Sequence, residues 1–100
     1  MDSFQLLADP TRRQILDLLA TGDKDAGTLS GHFAVSQPAV SRHLKALREG
    51  GLVSVRTAAQ RRVYSVRSEG LEEVDRWLDR YRSFWTNKLD ALEDAIKEDK

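Results

Sequence analysis

Apolar side chains recur along this chain at two different periods, and the change from one to the other marks where helices give way to strands. Phe4, Leu6 and Leu7 predict a short opening helix. Asp9-Pro10-Thr11 begins a second, since aspartate caps free backbone N–H groups and proline is tolerated at the first helical position. Ile15, Leu18 and Leu19 share one face of it, and it is expected to end near Thr21-Gly22. Asp25 is the expected cap of a short third helix running through Leu29 to Phe33, followed by a tight turn at Ala34-Val35. Ser36 then caps a fourth helix, with Pro38 in its first turn. Within SQPAVSRHLKALREGG, Val40, Leu44 and Leu47 stand at i, i+4, i+7 and form one apolar stripe. The opposite side presents Pro38, Ser41, Arg42 and Lys45, with Gln37 at its edge, and Gly50-Gly51 supplies the left-handed backbone that ends a helix.

Beyond this point the period falls from 3.6 to 2. Leu52, Val53 and Val55 lead into the polar, basic stretch RTAAQRR, and Val63, Tyr64, Ser65 and Val66 follow. Two short strands joined by this polar, basic loop are predicted, although no Asn-Gly or Asp-Gly marks the turn. From Gly70 onward one long helix is expected. Leu71, Val74, Leu78, Tyr81, Trp85, Leu89, Leu92 and Ile96 recur at three- and four-residue spacing, with Trp77 and Phe84 beside them. That stripe is about seven turns long, more than a three-helix core and a small hairpin can cover. Its first half, Leu71 to Leu78, is expected to fold over its own domain. The second half, Tyr81, Trp85, Leu89, Leu92 and Ile96, is expected to meet a second copy of the chain together with Phe4 and Leu7, because an open stripe of this size exceeds what soluble monomers expose.

Composition narrows the function. One hundred residues with no repeat, low-complexity segment or linker read as a single domain over residues 1–100, and 40% apolar with 32% charged residues is globular composition. The absence of cysteine removes disulfides, thiolate metal sites and thiol redox chemistry. No run approaches the roughly 18 apolar residues of a membrane span, and MDSFQLLADPTRR lacks a signal peptide's pattern, so a cytoplasmic protein is expected. Sixteen basic and sixteen acidic residues cancel overall, but residues 36–68 carry seven basic side chains against one acidic, Glu49. This local excess points to a polyanionic partner.

The basic third of the chain coincides with the order helix, tight turn, helix, hairpin. An α-helix fits the major groove of B-DNA, and a helix that reads it needs an apolar face to hold it and a polar, basic face to present. In the fourth helix, residues 36–49, Gln37 and Arg42 suit bidentate base contacts, while Ser36, Ser41 and Lys45 can meet phosphates or bases. Gln60, Arg61 and Arg62 sit at the hairpin's end, over residues 58–62, within reach of flanking phosphate or the minor groove. No Gly-rich phosphate motif or nucleophile–base arrangement is visible, which argues against an enzyme.

The segments ADPTRRQILDLL, SQPAVSRHLKALREGGLVSVR and RRVYSV resemble the winged-helix regulators of the ArsR/SmtB family, and the resemblance runs over roughly residues 4–97. It implies a mainly α winged helix-turn-helix fold of about five helices with a two-stranded wing. It also implies a homodimer joined by its first and last helices that binds a palindromic operator in double-stranded DNA and represses transcription. By position, Ser36, Gln37, Pro38, Ser41, Arg42 and Lys45 fall on the family's recognition helix, and Arg61 and Arg62 on its wing. The sequence departs from the metal-sensing members: its third helix, AGTLSGHF, has no cysteine, its last helix has no histidine, and His32 and His43 stand on different helices. Zinc sites use three or four ligands in fixed geometry, so neither a metal nor a cofactor is expected. Any effector would be an apolar small molecule, a partner protein, or the repressor's own concentration. The rival reading is a winged-helix protein-interaction module without specific DNA binding, which should carry acidic or apolar residues on the fourth helix where Arg42 and Lys45 stand.

Overall fold

Side-chain caps set the start of each of the first four helices in the computed structural model, which describes residues 1–98. Asp2 opens α1 (Ser3–Leu7): its carboxylate accepts from Gln5 N at 2.8 Å, and the Gln5 side chain accepts from Asp2 N at 2.9 Å. Asp9 accepts from Thr11 and Arg12 at the start of α2 (Pro10–Ala20), which holds its carboxyl below the usual range, the Arg12 amide being the largest cause. Asp25 caps α3 (Ala26–Gly31), which ends two residues short of the expected Phe33 because the chain turns at His32. Ser36 caps α4 (Gln37–Glu49). At the far end of α4, Gly51 takes φ +78°, and Leu52 N and Gly51 N donate to the carbonyls of Leu47 and Arg48 at 2.9 and 3.1 Å. These two bonds close the helix and turn Leu52 into the core.

The hairpin pairs β2 (Val53–Ala58) with β3 (Arg61–Val66) from Val53 opposite Val66 to Ala58 opposite Arg61, so the expected loop RTAAQRR is mostly strand, held by cross-strand pairing, and only Ala59-Gln60 remain as the turn. Ala59 supplies the positive φ, 57°, that a glycine or asparagine would ordinarily take. The two-stranded wing is as expected, and a further strand that the sequence did not show extends the sheet. A two-residue strand β1 (Lys24–Asp25) pairs with the other edge of β3, Lys24 opposite Tyr64 and Asp25 opposite Val63, giving the order β1-β3-β2. Two residues are too short to show an alternation of period 2, so only the pairing across forty residues defines this strand.

Leu6, Ile15, Leu19, Leu29, Val40, Leu44, Leu47, Leu52, Val53 and Tyr64 form the core, so α1 to α4 and the hairpin close on one another. A 3-10 turn (Ser68–Leu71) leads into α5 (Glu72–Glu98). The turn is locked by backbone proximity: a Cβ on Gly70 would stand 2.3 Å from the Gly51 carbonyl oxygen, so only glycine fits, and Ser3 Oγ donates to Gly70 O at 2.5 Å. The end of α4, the start of α1 and the root of α5 therefore meet at one point, and that junction fixes the direction in which α5 leaves.

The expectation that Leu71 to Leu78 fold over their own domain holds only at the root. Leu71 and Val74 are half-buried, and Trp77 meets Phe4 edge-on at 5.7 Å between ring centroids. Leu78 is already 41% exposed, and the rest of α5 projects freely. At 1.5 Å per residue, α5 is about 40 Å long. The molecule accordingly measures 63 × 25 × 22 Å, with a radius of gyration of 18.4 Å against about 13 Å for a compact chain of this length. On its polar face Arg82 pairs with Asp75 at 2.5 Å and with Asp79. Among the described residues no helix is long and apolar enough to cross a membrane.

Candidate nucleic-acid interface

The inward stripe of α4 holds the helix rigidly: Val40, Leu44 and Leu47 are all but fully buried. Its other side is open, and Ser36, Gln37, Pro38, Ser41, Arg42 and Lys45 are all exposed on it. Gln60, Arg61 and Arg62 are exposed at the end of the hairpin. The structure brings part of this set together. Ser41, Lys45 and Arg48 of α4 line one pocket with Arg62 and Tyr64 of β3, so the hairpin and the polar side of α4 share one surface.

Arg61 and Arg62 are not equivalent, because successive residues of a strand point to opposite faces. Arg62 lines the pocket against α4, and with Gln60 and Arg61 it also borders a second pocket against Asp25, Ala26 and Gly27. Arg61 lies over the opposite groove, beside Lys24 and Thr28, and its guanidinium stands 3.5 Å from the Asp25 carboxylate. One strand over, Arg56 pairs with Asp23 at 2.7 Å and also donates to Ser65 Oγ at 3.2 Å. The Arg56 hydrogen bond is the main reason the Asp23 carboxyl is held below its ordinary value. Asp25 is lowered first by the backbone amide and hydroxyl of Thr28, with Arg61 adding to it.

Two other arginines serve the fold. Arg12 donates to the carbonyls of Leu6 (2.7 Å) and Gln5 (3.1 Å), and Arg13 to that of Leu7 (2.6 Å), satisfying the open end of α1. In contrast, Arg42, Lys45, Arg48 and Arg62 form no ion pair among the described residues. Four uncompensated cations on one side of a chain of zero net charge make a local positive field suited to a polyanion. The sequence pattern alone did not single out Arg48 or Tyr64. The available signals were the i, i+4, i+7 spacing of Ser41, Lys45 and Arg48 and the two-residue spacing of Arg62 and Tyr64.

The expected partner-facing residues lie elsewhere. Phe4 is exposed and Leu7 half-buried on α1, while Tyr81, Trp85, Leu89, Leu92 and Ile96 are exposed along α5. Trp77, Leu78, Tyr81, Phe84 and Trp85 line a shallow apolar groove of about 300 Å³. His32 is exposed at the end of α3, and His43 is half-buried on α4. Among the described residues no group of three or more His, Cys, Asp or Glu side chains gathers as metal ligands do.

The chain is similar to known proteins. Residues 9–55 match the family described as bacterial regulatory protein, arsR family. The HTH-type transcriptional regulator Rv2034 of Mycobacterium tuberculosis is 44% identical over 94 residues, covering 94% of this chain and 85% of that protein. The transcriptional repressor SdpR of Bacillus subtilis is 39% identical over 75 residues, covering 75% of this chain and 83% of that protein. The solution structure of a homodimeric winged helix-turn-helix DNA-binding domain from Mycobacterium bovis, a possible ArsR-family transcriptional regulator, superposes with a TM-score of 0.62 at 29% identity. It covers 89% of this chain and 80% of that one.

Proposed function

Since this chain belongs to the arsR family of bacterial regulatory proteins and is a DNA-binding transcriptional regulator, not an enzyme, we propose that it represses transcription as a homodimer on a palindromic operator. The observation that carries this reading is the set of unpaired cations Arg42, Lys45, Arg48 and Arg62 on the exposed side of α4 and the adjoining hairpin. In this reading α4 enters the major groove with Gln37 and Arg42 as base readers, and Ser36, Pro38, Ser41 and Lys45 lie along the contact. Gln60, Arg61 and Arg62 form the wing that reaches the flanking backbone. The apolar face of α5, with Phe4 and Leu7 of α1, meets its symmetry mate, as the homodimeric state of the Mycobacterium bovis domain supports. Two-fold symmetry then sets the recognition helices about one DNA turn, 34–36 Å, or a multiple of it apart.

Selection of bound sequences from a random DNA pool tests this directly. The expected product is an inverted repeat with half-site centres one or more turns apart, and placing it over a promoter should silence a reporter in the presence of the protein. Enrichment of no sequence would refute specific binding, and a single asymmetric site would refute the dimer.

The wing makes its own prediction. Each phosphate neutralised by a cation contributes a slope of about 0.9 to the log–log dependence of affinity on salt. Arg62→Ala is expected to flatten that slope and to weaken operator and random DNA alike. Arg61→Ala should do so less, because Arg61 is shared with Asp25. An unchanged slope in the Arg61→Ala, Arg62→Ala double variant would remove the wing from the interface.

Metal ions are not expected to act as effectors. There is no cysteine, α5 carries no histidine, and His32 and His43 lie on different helices. Operator affinity should stay constant when micromolar zinc, nickel or cadmium is added or when a chelator is present. Stoichiometric zinc uptake coupled to operator release in a calorimetric titration would overturn this.

A further inference from the structure

The junction of α4 and β3 holds a pocket that base reading by Gln37 and Arg42 leaves unused. It encloses about 190 Å³ and is lined by Ser41, Leu44, Lys45, Arg48, Arg62 and Tyr64. Two periodicities build it. Ser41, Lys45 and Arg48 share one face of the helix at i, i+4, i+7, and Arg62 and Tyr64 share one face of the strand. Leu44 and the Tyr64 ring belong to the core, so the floor of the pocket is rigid.

Its chemistry is one-sided. Lys45, Arg48, Arg62, Ser41 and Tyr64 supply its polar lining, and no acidic residue lines it. Glu49, four residues after Lys45, pairs with neither Lys45 nor Arg48 among the described residues. Three cationic residues lining one pocket repel, and an anion bound among them relieves that repulsion. Tyr64 is a second, independent sign. The residue is 7% exposed, yet no hydrogen bond between the described residues engages its phenol. Buried tyrosines ordinarily bond their hydroxyl, and no sealed-off side-chain polar atom is left without a partner. The phenol therefore opens to the pocket, where it can donate to a ligand oxygen.

We propose that this pocket seats one phosphate of the DNA backbone, with Arg48 and Tyr64 as further binding residues beside Lys45, Arg62 and Ser41. The inference rests on the DNA-binding reading above and adds a residue set to it. Lysine and arginine offer donors only, which matches a phosphodiester's acceptor oxygens and carries no sequence information. Lying between the reading helix and the wing, a phosphate held here fixes how far α4 slides along the groove.

The test uses full-length protein and the operator obtained by selection, with one linkage at a time replaced by an uncharged methylphosphonate. One position per half-site is expected at which neutralisation weakens wild-type binding about tenfold, the scale of a lost charged hydrogen bond, while Arg48→Gln binding changes little there. Arg48→Gln should itself weaken operator and random DNA alike and lower the salt slope by about 0.9 per phosphate. Tyr64→Phe, which keeps the ring in the core, should weaken both DNAs without changing the slope. Arg48 also stands in the last turn of α4, where a cation favours the helix dipole. A role confined to that would lower the melting temperature and leave the slope intact, overturning the proposal. So would a changed base preference for Arg48→Gln in a repeated selection, which would make it a base reader. Competition by inorganic phosphate at matched ionic strength, present in wild type and absent in Arg48→Gln, would assign the pocket to free phosphate instead. If Arg42→Ala weakens operator binding while Arg48→Gln and Tyr64→Phe do not, the phosphate seat fails alone. If wild-type protein enriches no sequence, the DNA-binding reading fails with it.

Discussion

Replacing Trp85 with glutamate is expected to leave a folded monomer that no longer holds its operator. Trp85 is 62% exposed in the single chain, its ring 6.2 Å from that of Phe84 between centroids. It is not among the residues of the core. It sits midway along an open apolar face that begins at Phe4 and Trp77 and continues through Leu89, Leu92 and Ile96, all of them exposed. Soluble monomers rarely leave more than a few hundred Å² of contiguous apolar surface in water. Large aromatics at the centre of an interface commonly carry about 2 kcal/mol or more each, and a carboxylate at that place must be buried unpaired on association. Operator affinity should fall by about a hundredfold or more, because linking two half-site modules is worth some 10² to 10⁴ in avidity. Sedimentation at micromolar concentration, a thermal melt and an anisotropy titration check the three parts of this expectation. The dimer assignment would not survive a wild-type protein that sediments as a monomer, or a Trp85→Glu variant that still sediments as a dimer.

Arg42→Ala should weaken operator binding by at least tenfold and relax specificity at one base per half-site. Arg42 stands in the middle of α4, exposed and without an ion pair among the described residues, while Val40, Leu44 and Leu47 hold the helix from behind. Truncating it costs the fold nothing. A bidentate arginine–guanine contact discriminates by about 1–3 kcal/mol, and each 1.4 kcal/mol is about tenfold. A symmetric dimer loses this contact twice. The effect should be confined to the selected sequence, with random DNA bound nearly as before. That separates a base reader from Arg62, whose loss should lower both affinities together. Wild-type affinity of Arg42→Ala for the selected site would remove it from the readers.

Both expectations start from features legible along the chain, and those features are local. Asp9, Asp25 and Ser36 announce their helices because a cap needs only the next two or three amides. The two sides of α4 follow from a 3.6-residue period, and the hairpin from a period of 2. Gly51 ends α4 because the turn at that residue needs a positive φ. The helix over residues 36–49 and the presence of a hairpin after it were thus legible, with most of the exposed polar side chains of α4, whereas the extent of the strands through Arg56–Ala58 and Arg61–Arg62 was not.

What only the tertiary structure decided involves residues far apart in sequence, where no local period leaves a trace. β1 exists because Lys24 and Asp25 find the edge of β3 forty residues later. That pairing brings Asp25 to Arg61, while Arg62 also lines the pocket against α4, a difference between two adjacent arginines that look equivalent in sequence. Arg12 and Arg13 look like any basic pair, yet they satisfy the carbonyls at the end of α1. The direction of α5 is set by Gly70 lying against Gly51 with Ser3 bonded across them, an approach that requires both chain segments in place. Because that contact aims the helix away from its own core, Leu78 and the residues after it stay in solvent. Periodicity could say that α5 has an apolar face, but only the packing at its root could say that the face is left uncovered by its own chain.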